Sequence, residues 1–514
     1  MRRAFEVDEA NTYVRLYNYD KDMEKSLRSF SLRNLSKWAK VPGEQFGTHK
    51  WAISHVFATF SPDKSEYRIS KGFYGKLKEY LKGQGYDVEN IIPNKVKEIT
   101  PAMVEHKWKK GLNIQPRNDE QRDYVEFTIR EDKPIVVING RTGFGKSLVS
   151  TMAFFELGYR VVITVLPRYV PVWTKTFKDF VDIKPGDIIN VSDWDINDLY
   201  DKLKTGKINP KIIIFQLTRI DTYIKRMREL PGDIPHLDDF FEVLGGGMRL
   251  IDETHESIYS VYNSMLYGNF KKNVGLSATL QGDDEFINEV YRAVYPDTAY
   301  LKPPTYDKYI HVVAYMHRIN MNKYRIRTKG FGGYSHMLYE KGILKNKVAF
   351  ENYYQVCKQA FEEYYVSGYR EGQKALWFFF LVDFCKAFEE RLKKDYPEMD
   401  IFTFTGEISK KKGMEQEYNN HQVVITTPGS CATGKDIPYL FTVFACVSVS
   451  SSQKNDQMNG RLRPIDKWWP DLDPIFVYLV GLDEPKQVEY HKKRRQVLAK
   501  KTKKFSIVDS NLWV

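Results

Sequence analysis

The run VVINGRTGFGKSLVS constrains this chain more than any other stretch of it. An apolar segment leads into Gly140–Ser147, which matches G-x-x-x-x-G-K-[ST], and a helix-length stretch follows. A loop of this composition lets backbone N–H groups converge on anionic oxygens, while the helix behind it turns the positive end of its dipole toward them. A strand that passes at once into a helix needs a crossover to reach its next strand, so the motif predicts a parallel sheet with covering helices. Within the motif, Lys146 is the residue placed to reach the β- and γ-phosphates and Ser147 the hydroxyl placed on a metal ion. Gly140, Arg141, Thr142, Gly143, Phe144 and Gly145 form the cradle. The cofactors this implies are ATP and Mg²⁺.

The same strand–helix alternation continues along most of the 514 residues. From about 113 to 304 the apolar runs are KPIVVING, RVVITVLP, KIIIFQL, GMRLIDET and NVGLSATL. Pro303 and Pro304 interrupt the pattern. From about 305 to 485 it resumes with YIHVVAYM, KALWFFFLV, DIFTFTG, QVVITTPG, YLFTVFACVSVSS and PIFVYLVGL. Two α/β units of similar size in succession predict a duplicated fold. Residues 1–112 carry no nucleotide motif. There FATFSPDKSEYRISKGFYGKLKEYLKGQGYDV predicts strands and then a short helix, Phe73 to Leu81, in a small α+β accessory domain. RIRTKGFGGYSH reads as an exposed loop. Residues 486–514 read as a basic tail, since Lys492, Lys493, Arg494, Arg495, Lys500, Lys501, Lys503 and Lys504 crowd together there.

A second group of motifs supplies chemistry to the phosphate loop. GMRLI runs into Asp252-Glu253-Thr254-His255. Hydrolysis needs one carboxylate to hold the metal and another to orient the attacking water, and ligands gather at the carboxyl edge of parallel strands. Asp252 is therefore a metal ligand beside Ser147, and Glu253 the general base. Ser277-Ala278-Thr279 ends the next apolar run. In this order the set resembles superfamily 2 helicases, over about residues 113–485. The resemblance implies α/β architecture with two tandem RecA-like parallel-sheet motor domains after the accessory domain.

It also implies roles for residues that spacing alone leaves open. Gln121 corresponds to the glutamine that reads adenine. Pro167 and Arg168 of Leu166-Pro167-Arg168, and Gln216 and Thr218 of Phe215-Gln216-Leu217-Thr218, correspond to nucleic-acid contacts. Ser277 and Thr279 couple hydrolysis to movement. Thr433-Gly434-Lys435-Asp436 resembles the motif that touches nucleic acid through Thr433 and nucleotide through Gly434 and Asp436. Gln457-Met458-Asn459-Gly460-Arg461-Leu462-Arg463 resembles the motif with the arginine fingers, so Gln457, Arg461 and Arg463 join the catalytic set. The position of the family's second arginine is Pro464 here, and Arg463 stands one residue earlier. Such an arginine stabilises charge on the transferred phosphoryl when a cleft closes, which links ATP state to stepping.

Within the superfamily the chain is similar to phage-encoded recombination and branch-migration helicases of the T4 type, with a T5-like style. GFYGKLKEYLKGQGYDV resembles the close of their accessory domain. This implies an ATP-dependent helicase on forked or junction DNA, in replication, recombination or repair, working in the cytoplasm of a host cell, with a monomer favoured. A duplex translocase without strand separation and a DExH RNA helicase remain alternatives. A scaffold with a degenerate ATPase is opposed by the intact Lys146, Asp252, Glu253 and Arg461. A wedge is sought in Gly330-Phe331-Gly332-Gly333-Tyr334, while Trp468 and Trp469 read as packing between domains.

Composition bears on partners. A formal net charge of +12 favours a polyanion, through release of condensed counterions. No run approaches the roughly 20 apolar residues of a membrane span, and the first residues lack the apolar core of a secretory signal, so a soluble protein is expected. Cys357, Cys385, Cys431 and Cys446 form no Cys-x-x-Cys pair, which predicts reduced thiols rather than a zinc site or disulfides.

Overall fold

A computed structural model describes residues 5–42, 49–140, 144–277, 280, 284–301, 308–330, 333–409, 414, 417–431 and 437–514. They form two compact units, one of the described residues 5–41 and 49–301, the other of Pro42 with the described residues from 308 to 514.

The first unit is centred on six strands: β1 (Ile135–Ile138), β2 (Val161–Val165), β3 (Ile188–Asn190), β4 (Ile212–Gln216), β5 (Met248–Ile251) and β6 (Lys272–Leu276). All pairs are parallel, in the order β3-β4-β2-β5-β6-β1. The strands are valine–isoleucine runs instead of alternating ones because helices cover both faces; β2 is buried at every position. Val136, Ile163 and Leu250 face one core with Phe154, Trp173 and Phe177. Their neighbours Val137, Val162 and Ile251 face another.

That second core is shared with the N-terminal residues. Strands at Glu6–Glu9, Tyr13–Tyr17, Thr59–Phe60, Glu66–Ser70 and Asn94–Lys95 make a five-stranded sheet, backed by helices Lys21–Asn34 and Tyr74–Gly83. The second helix, expected over Phe73–Leu81, follows a single 3-10 turn at Lys71–Phe73. Leu16, Phe30, Tyr67, Ile69 and Leu77 pack in one continuous cluster with Tyr262, Val290 and Tyr291. Arg68, 4% exposed, pairs with Asp238 at 2.7 Å. Gly72 lies so close to helix Glu285–Val294 that an added Cβ would sit 2.4 Å from the Ala293 Cα. The first 112 residues thus own a sheet without owning a separate core.

The second unit holds β7 (Ile310–Arg318), β8 (Lys374–Phe378), β9 (Ile401–Phe404), β10 (Val423–Thr426), β11 (Leu440–Ala445), β12 (Ile475–Gly481) and β13 (Thr502–Trp513). The sheet is parallel throughout, in the order β9-β10-β8-β11-β12-β7-β13. Counted within each unit, both sheets run third, fourth, second, fifth, sixth, first. The second sheet adds a seventh strand outside its first, where the first sheet has a single bridge from Val137 to Tyr300. The expected duplication is present in the topology itself, and the fold is α/β with two tandem RecA-like sheets and a small N-terminal one.

Residues 486–514, read from sequence as a tail, are instead helix Pro485–Leu498 followed by β13. Apolar residues set among the lysines make this possible: Leu498 and Val514 are buried, and Phe505, Val508 and Leu512 pack against the cores. Arg494, 2% exposed, donates to Asn455 Oδ1 at 2.7 Å and to the Val447 carbonyl at 2.5 Å, with its guanidinium over the Tyr478 ring. Lys501 pairs with Asp456 at 3.1 Å, and Lys503 with Asp473 at 2.8 Å.

The stretch read as an exposed loop contains a short ladder of Lys329–Gly330 with Gly333–Tyr334. Tyr334 is half-buried, accepting from Gln487 Nε2 at 2.9 Å and lying 2.9 Å from His336 Nδ1; Phe331 and Gly332 are outside the described residues. Trp468 meets Tyr439 of its own unit edge-on at 5.0 Å. Cys357, Cys385 and Cys446 are buried free thiols. No described helix is long and apolar enough to cross a membrane.

Candidate active site

The described ends of the phosphate loop, Gly140 and Phe144–Gly145, are closely packed. A Cβ at Gly140 would sit 2.1 Å from the Phe144 ring, and that ring is buried edge-on against Tyr124. Gly145 caps helix Lys146–Leu157 at φ +86°, a conformation that suits glycine. Gln121 is buried behind the loop. Its Nε2 donates to the Phe144 carbonyl at 2.5 Å, and its Oε1 accepts from the Arg117 N–H at 2.7 Å. Arg117 Nη2 donates to the same carbonyl at 2.9 Å. In this arrangement the residue matched to adenine reading braces the loop. Lys146 Nζ donates to the Gly140 carbonyl at 3.1 Å, which lays the ammonium across the loop. Ser147 stands in the first turn of the helix, half-buried. Arg141, Thr142 and Gly143 lie outside the described residues.

At the end of β5, the Asp252 N–H donates to the Thr164 carbonyl at 3.1 Å, fixing the carboxylate beside β2. Its Oδ2 accepts from the Trp173 indole at 2.7 Å, and its Oδ1 from the Glu253 N–H at 2.9 Å. Burial, and then the neighbouring Glu253 charge, push the Asp252 carboxyl up to about 7; the Trp173 hydrogen bond and the Lys146 charge act the other way. Lys146 opens the helix that follows β1, and Asp252 follows the end of β5 in the same parallel sheet. A buried carboxylate under-compensated in this way is a donor that suits a divalent cation, so Asp252, with the Ser147 hydroxyl, is of the chemistry that would hold Mg²⁺.

Glu253 has φ +45°, left-handed and uncommon for a residue with a side chain. Strain of this kind is stored where the surrounding structure holds it, and here it turns the chain sharply out of β5. Glu253 Oε2 lies 3.2 Å from His255 Nδ1, which in turn lies 2.8 Å from Ser277 Oγ. Ser277, buried at the end of β6, donates its N–H to the Ile138 carbonyl of β1 at 3.4 Å. A chain of contacts therefore runs from β1 through Ser277 and His255 to Glu253. Ala278 and Thr279 are outside the described residues.

The other motif residues of this unit occupy the same edge of the sheet. Pro167 opens a 3-10 turn after β2, and Arg168 pairs with Glu256, whose Oε1 accepts from Tyr169 Oη at 3.0 Å. Gln216 ends β4 and donates to Asn190 Oδ1 at 3.3 Å; Thr218 is exposed in the first turn of helix Leu217–Glu229. Trp173, Arg117 and Glu256 were missed by sequence reasoning, since none belongs to a motif. Only the nearness of Arg117 to Gln121 in PRNDEQ gave any signal.

In the second unit Gln457 lies on helix Ser452–Asn459, capped by the Ser451 hydroxyl. Arg461, 6% exposed, donates through Nε to the Gln457 carbonyl at 3.3 Å. Arg463 donates to the Gly460 and Leu462 carbonyls. Both Asn455 and Asp456 of this helix are engaged by the 485–514 segment, so the former "tail" braces the arginine motif. Thr433, Gly434 and Asp436 lie outside the described residues.

No family model matches the chain, and no curated protein does. Among solved structures, T4 UvsW aligns over 99% of this chain and 100% of its own at 15% identity and a TM-score of 0.30. The Hef helicase domain of Pyrococcus furiosus covers 74% of this chain and 98% of its own, at 14% identity and a TM-score of 0.43. Saccharomyces cerevisiae Dbp5 bound to RNA and ADP BeF3 covers 76% and 89%, at 12% identity and a TM-score of 0.45. Likenesses of this strength assign no activity; that reading rests on the chain's own motifs and geometry.

Proposed function

We propose that this protein is an ATP-driven superfamily 2 motor that acts on DNA and unwinds or branch-migrates forked and junction substrates. The observation that carries the reading is the gathering of Lys146, Asp252, Glu253 and the Ser277–His255 contact at one edge of a parallel sheet. In this reading Lys146 holds the β- and γ-phosphates, and Ser147 with Asp252 holds Mg²⁺. Bound there, the metal would neutralise phosphate charge. Glu253 orients the attacking water, and His255 holds Glu253 in place. Arg461 is the arginine finger, with Arg463 as its partner in place of the absent arginine at Pro464. Pro167, Arg168, Gln216, Thr218 and Thr433 grip the nucleic-acid backbone, and Gly434 and Asp436 sense the nucleotide. Backbone grip is expected of a motor that must pass over any sequence.

The deciding experiment compares ATP hydrolysis on single-stranded DNA, linear duplex, a forked or four-way DNA and single-stranded RNA. Strongest stimulation by branched DNA, with ATP-dependent conversion of the junction, supports the reading. Equal stimulation by plain duplex without strand separation favours a translocase, and stimulation by RNA alone rejects DNA as substrate.

A further inference from the structure

Two ties run from the segment after β2 to the segment after β5, and they differ in kind. The first joins Trp173 to Asp252. Trp173 is buried in helix Val170–Phe180 with its ring 5.5 Å from that of Phe177, so the indole N–H on Asp252 Oδ2 is held by the packing of the core. The second joins Arg168 to Glu256. The Glu256 side chain is only 5% exposed and accepts from Arg168 Nη2 and, at 3.0 Å, from Tyr169 Oη. Arg168 sits on the outside of this pair: its side chain is 54% exposed, and its guanidinium rests on the Tyr169 ring at 5.1 Å. The carboxylate is enclosed, while the cation is open to solvent and to any anion that arrives there.

A guanidinium so placed has a choice of partners. A backbone phosphate offers two oxygens in the geometry that its fork of donors matches. Glu256 is not stranded when Arg168 turns away, because Tyr169 is buried in the core and still donates to Oε1. Trading one charge-assisted pair for another costs far less than breaking a buried pair outright.

Between the two ties lies Glu253. Its φ of +45° holds it in the left-handed region, and its carbonyl accepts from the Glu256 N–H at 2.8 Å to close the turn Thr254–Glu256. Asp252, just before it, is pinned by Trp173 and by its own N–H on Thr164. Parting Arg168 from Glu256 therefore acts on the strained turn that begins at Glu253 and leaves Asp252 where it is.

We propose that Glu256 is a positioning residue that makes ATP hydrolysis answer to DNA: at rest it holds Arg168, and DNA draws Arg168 onto a backbone phosphate, which frees the Glu253 turn to reach its hydrolytic geometry. The inference rests on the motor reading above. DNA binding and hydrolysis then report one equilibrium, so a change that weakens the pair without removing the arginine favours both. An arginine that only grips DNA, or a glutamate that only braces the fold, has no such double effect.

The test uses the full chain, Glu256→Gln, Arg168→Ala and the double variant. Binding of a labelled single-stranded DNA is measured without nucleotide, and ATP hydrolysis with and without that DNA. Glu256→Gln keeps the shape and an acceptor for Tyr169 but loosens the hold on Arg168. It is expected to bind DNA about three- to tenfold more tightly and to raise kcat without DNA by about fivefold or more, with KM for ATP unchanged. Arg168→Ala binds DNA less tightly yet shares the faster DNA-free hydrolysis, which the loss of a grip alone does not produce. In the double variant the glutamine adds nothing to binding. Thermal melts identify a Glu256→Gln protein that has lost its fold, in which case the DNA-free rate of Arg168→Ala carries the comparison. A gain in binding that persists without Arg168 is mere removal of negative charge and overturns the proposal, as does a DNA-free rate that neither variant raises. Hydrolysis by the unaltered protein that no nucleic acid stimulates condemns the motor reading instead. Stimulated hydrolysis in the unaltered protein, with no such effect in the variants, condemns the relay alone.

Discussion

Asp252 is held in surroundings that oppose its charge, and this has a measurable consequence for stability. An acid whose native pKa is raised binds more protons folded than unfolded. Its ionisation therefore costs nothing below the unfolded value near 4 and costs most above about 7. Asp252→Asn is expected to abolish hydrolysis yet raise the stability of the nucleotide- and metal-free protein at pH 8 by about 1–3 kcal/mol. Melting curves should show the gain shrinking as pH falls from 8 toward 5; a variant that melts lower at pH 8 contradicts this account. Lys146→Ala removes the bond to Gly140 and, on the proposed function, the phosphate contact. Turnover should fall by a factor on the order of 10² or more, as for loss of one charge-stabilising donor, while binding to DNA persists. Glu253→Gln should retain ATP without cleaving it, seen as stable capture of labelled nucleotide on a filter. These residues were legible because motif spacing places them at strand ends. Trp173 was not, because its partner Asp252 lies 79 residues away and nothing local marks the pair.

Among elements, the helix and strand made by residues 485–514 show how charge can hide structure. Lysine and arginine stems cover apolar surface while their heads reach out, so a block of basic residues masks the period of the few that pack. Arg494→Ala leaves Asn455 and the Val447 carbonyl without their donor in a buried site, and should cost the second unit about 2–4 kcal/mol in urea unfolding. Replacing the exposed Lys492, Arg495, Lys500 and Lys504 with glutamine should leave that stability nearly unchanged. If those side chains meet phosphates, each loss lowers the salt dependence of DNA binding by close to one unit of slope, and an unchanged slope removes them from the interface. The strands of both large sheets were readable because a doubly covered parallel strand is an unbroken apolar run. The paired strands Ser36–Pro42 and His49–Val56 were not, for their exposed tryptophans break the usual alternation.

For the whole molecule, the informative fact is that the N-terminal sheet and the six-stranded sheet of the first unit share one core. Sequence suggested a boundary near residue 112 because the nucleotide motifs begin after it, but motif boundaries are not packing boundaries. Arg68→Ala would strand the Asp238 carboxylate at 27% side-chain exposure, and is expected to cost about 3–5 kcal/mol. The cost should appear as a single shifted transition for the whole first unit; two separate transitions would show that the N-terminal region folds independently. The duplication was visible in the repeated strand–helix rhythm, whereas the common strand order needed the structure.

The seventh strand of the second sheet also sets a timetable. β13 lies along β7, pairing His311 with Lys504 and Val313 with Ser506, whose Oγ lies 2.9 Å from His311 Nε2 across 195 residues of sequence. Closing so long a loop is slow, because chain entropy is lost before the contacts form. Until β13 arrives, β7 presents a largely apolar edge with its N–H and C=O groups unpaired. A nascent or clipped chain lacking residues 502–513 is thus a template for mispairing, and a helper that shields β7 early in folding would raise the yield of folded protein.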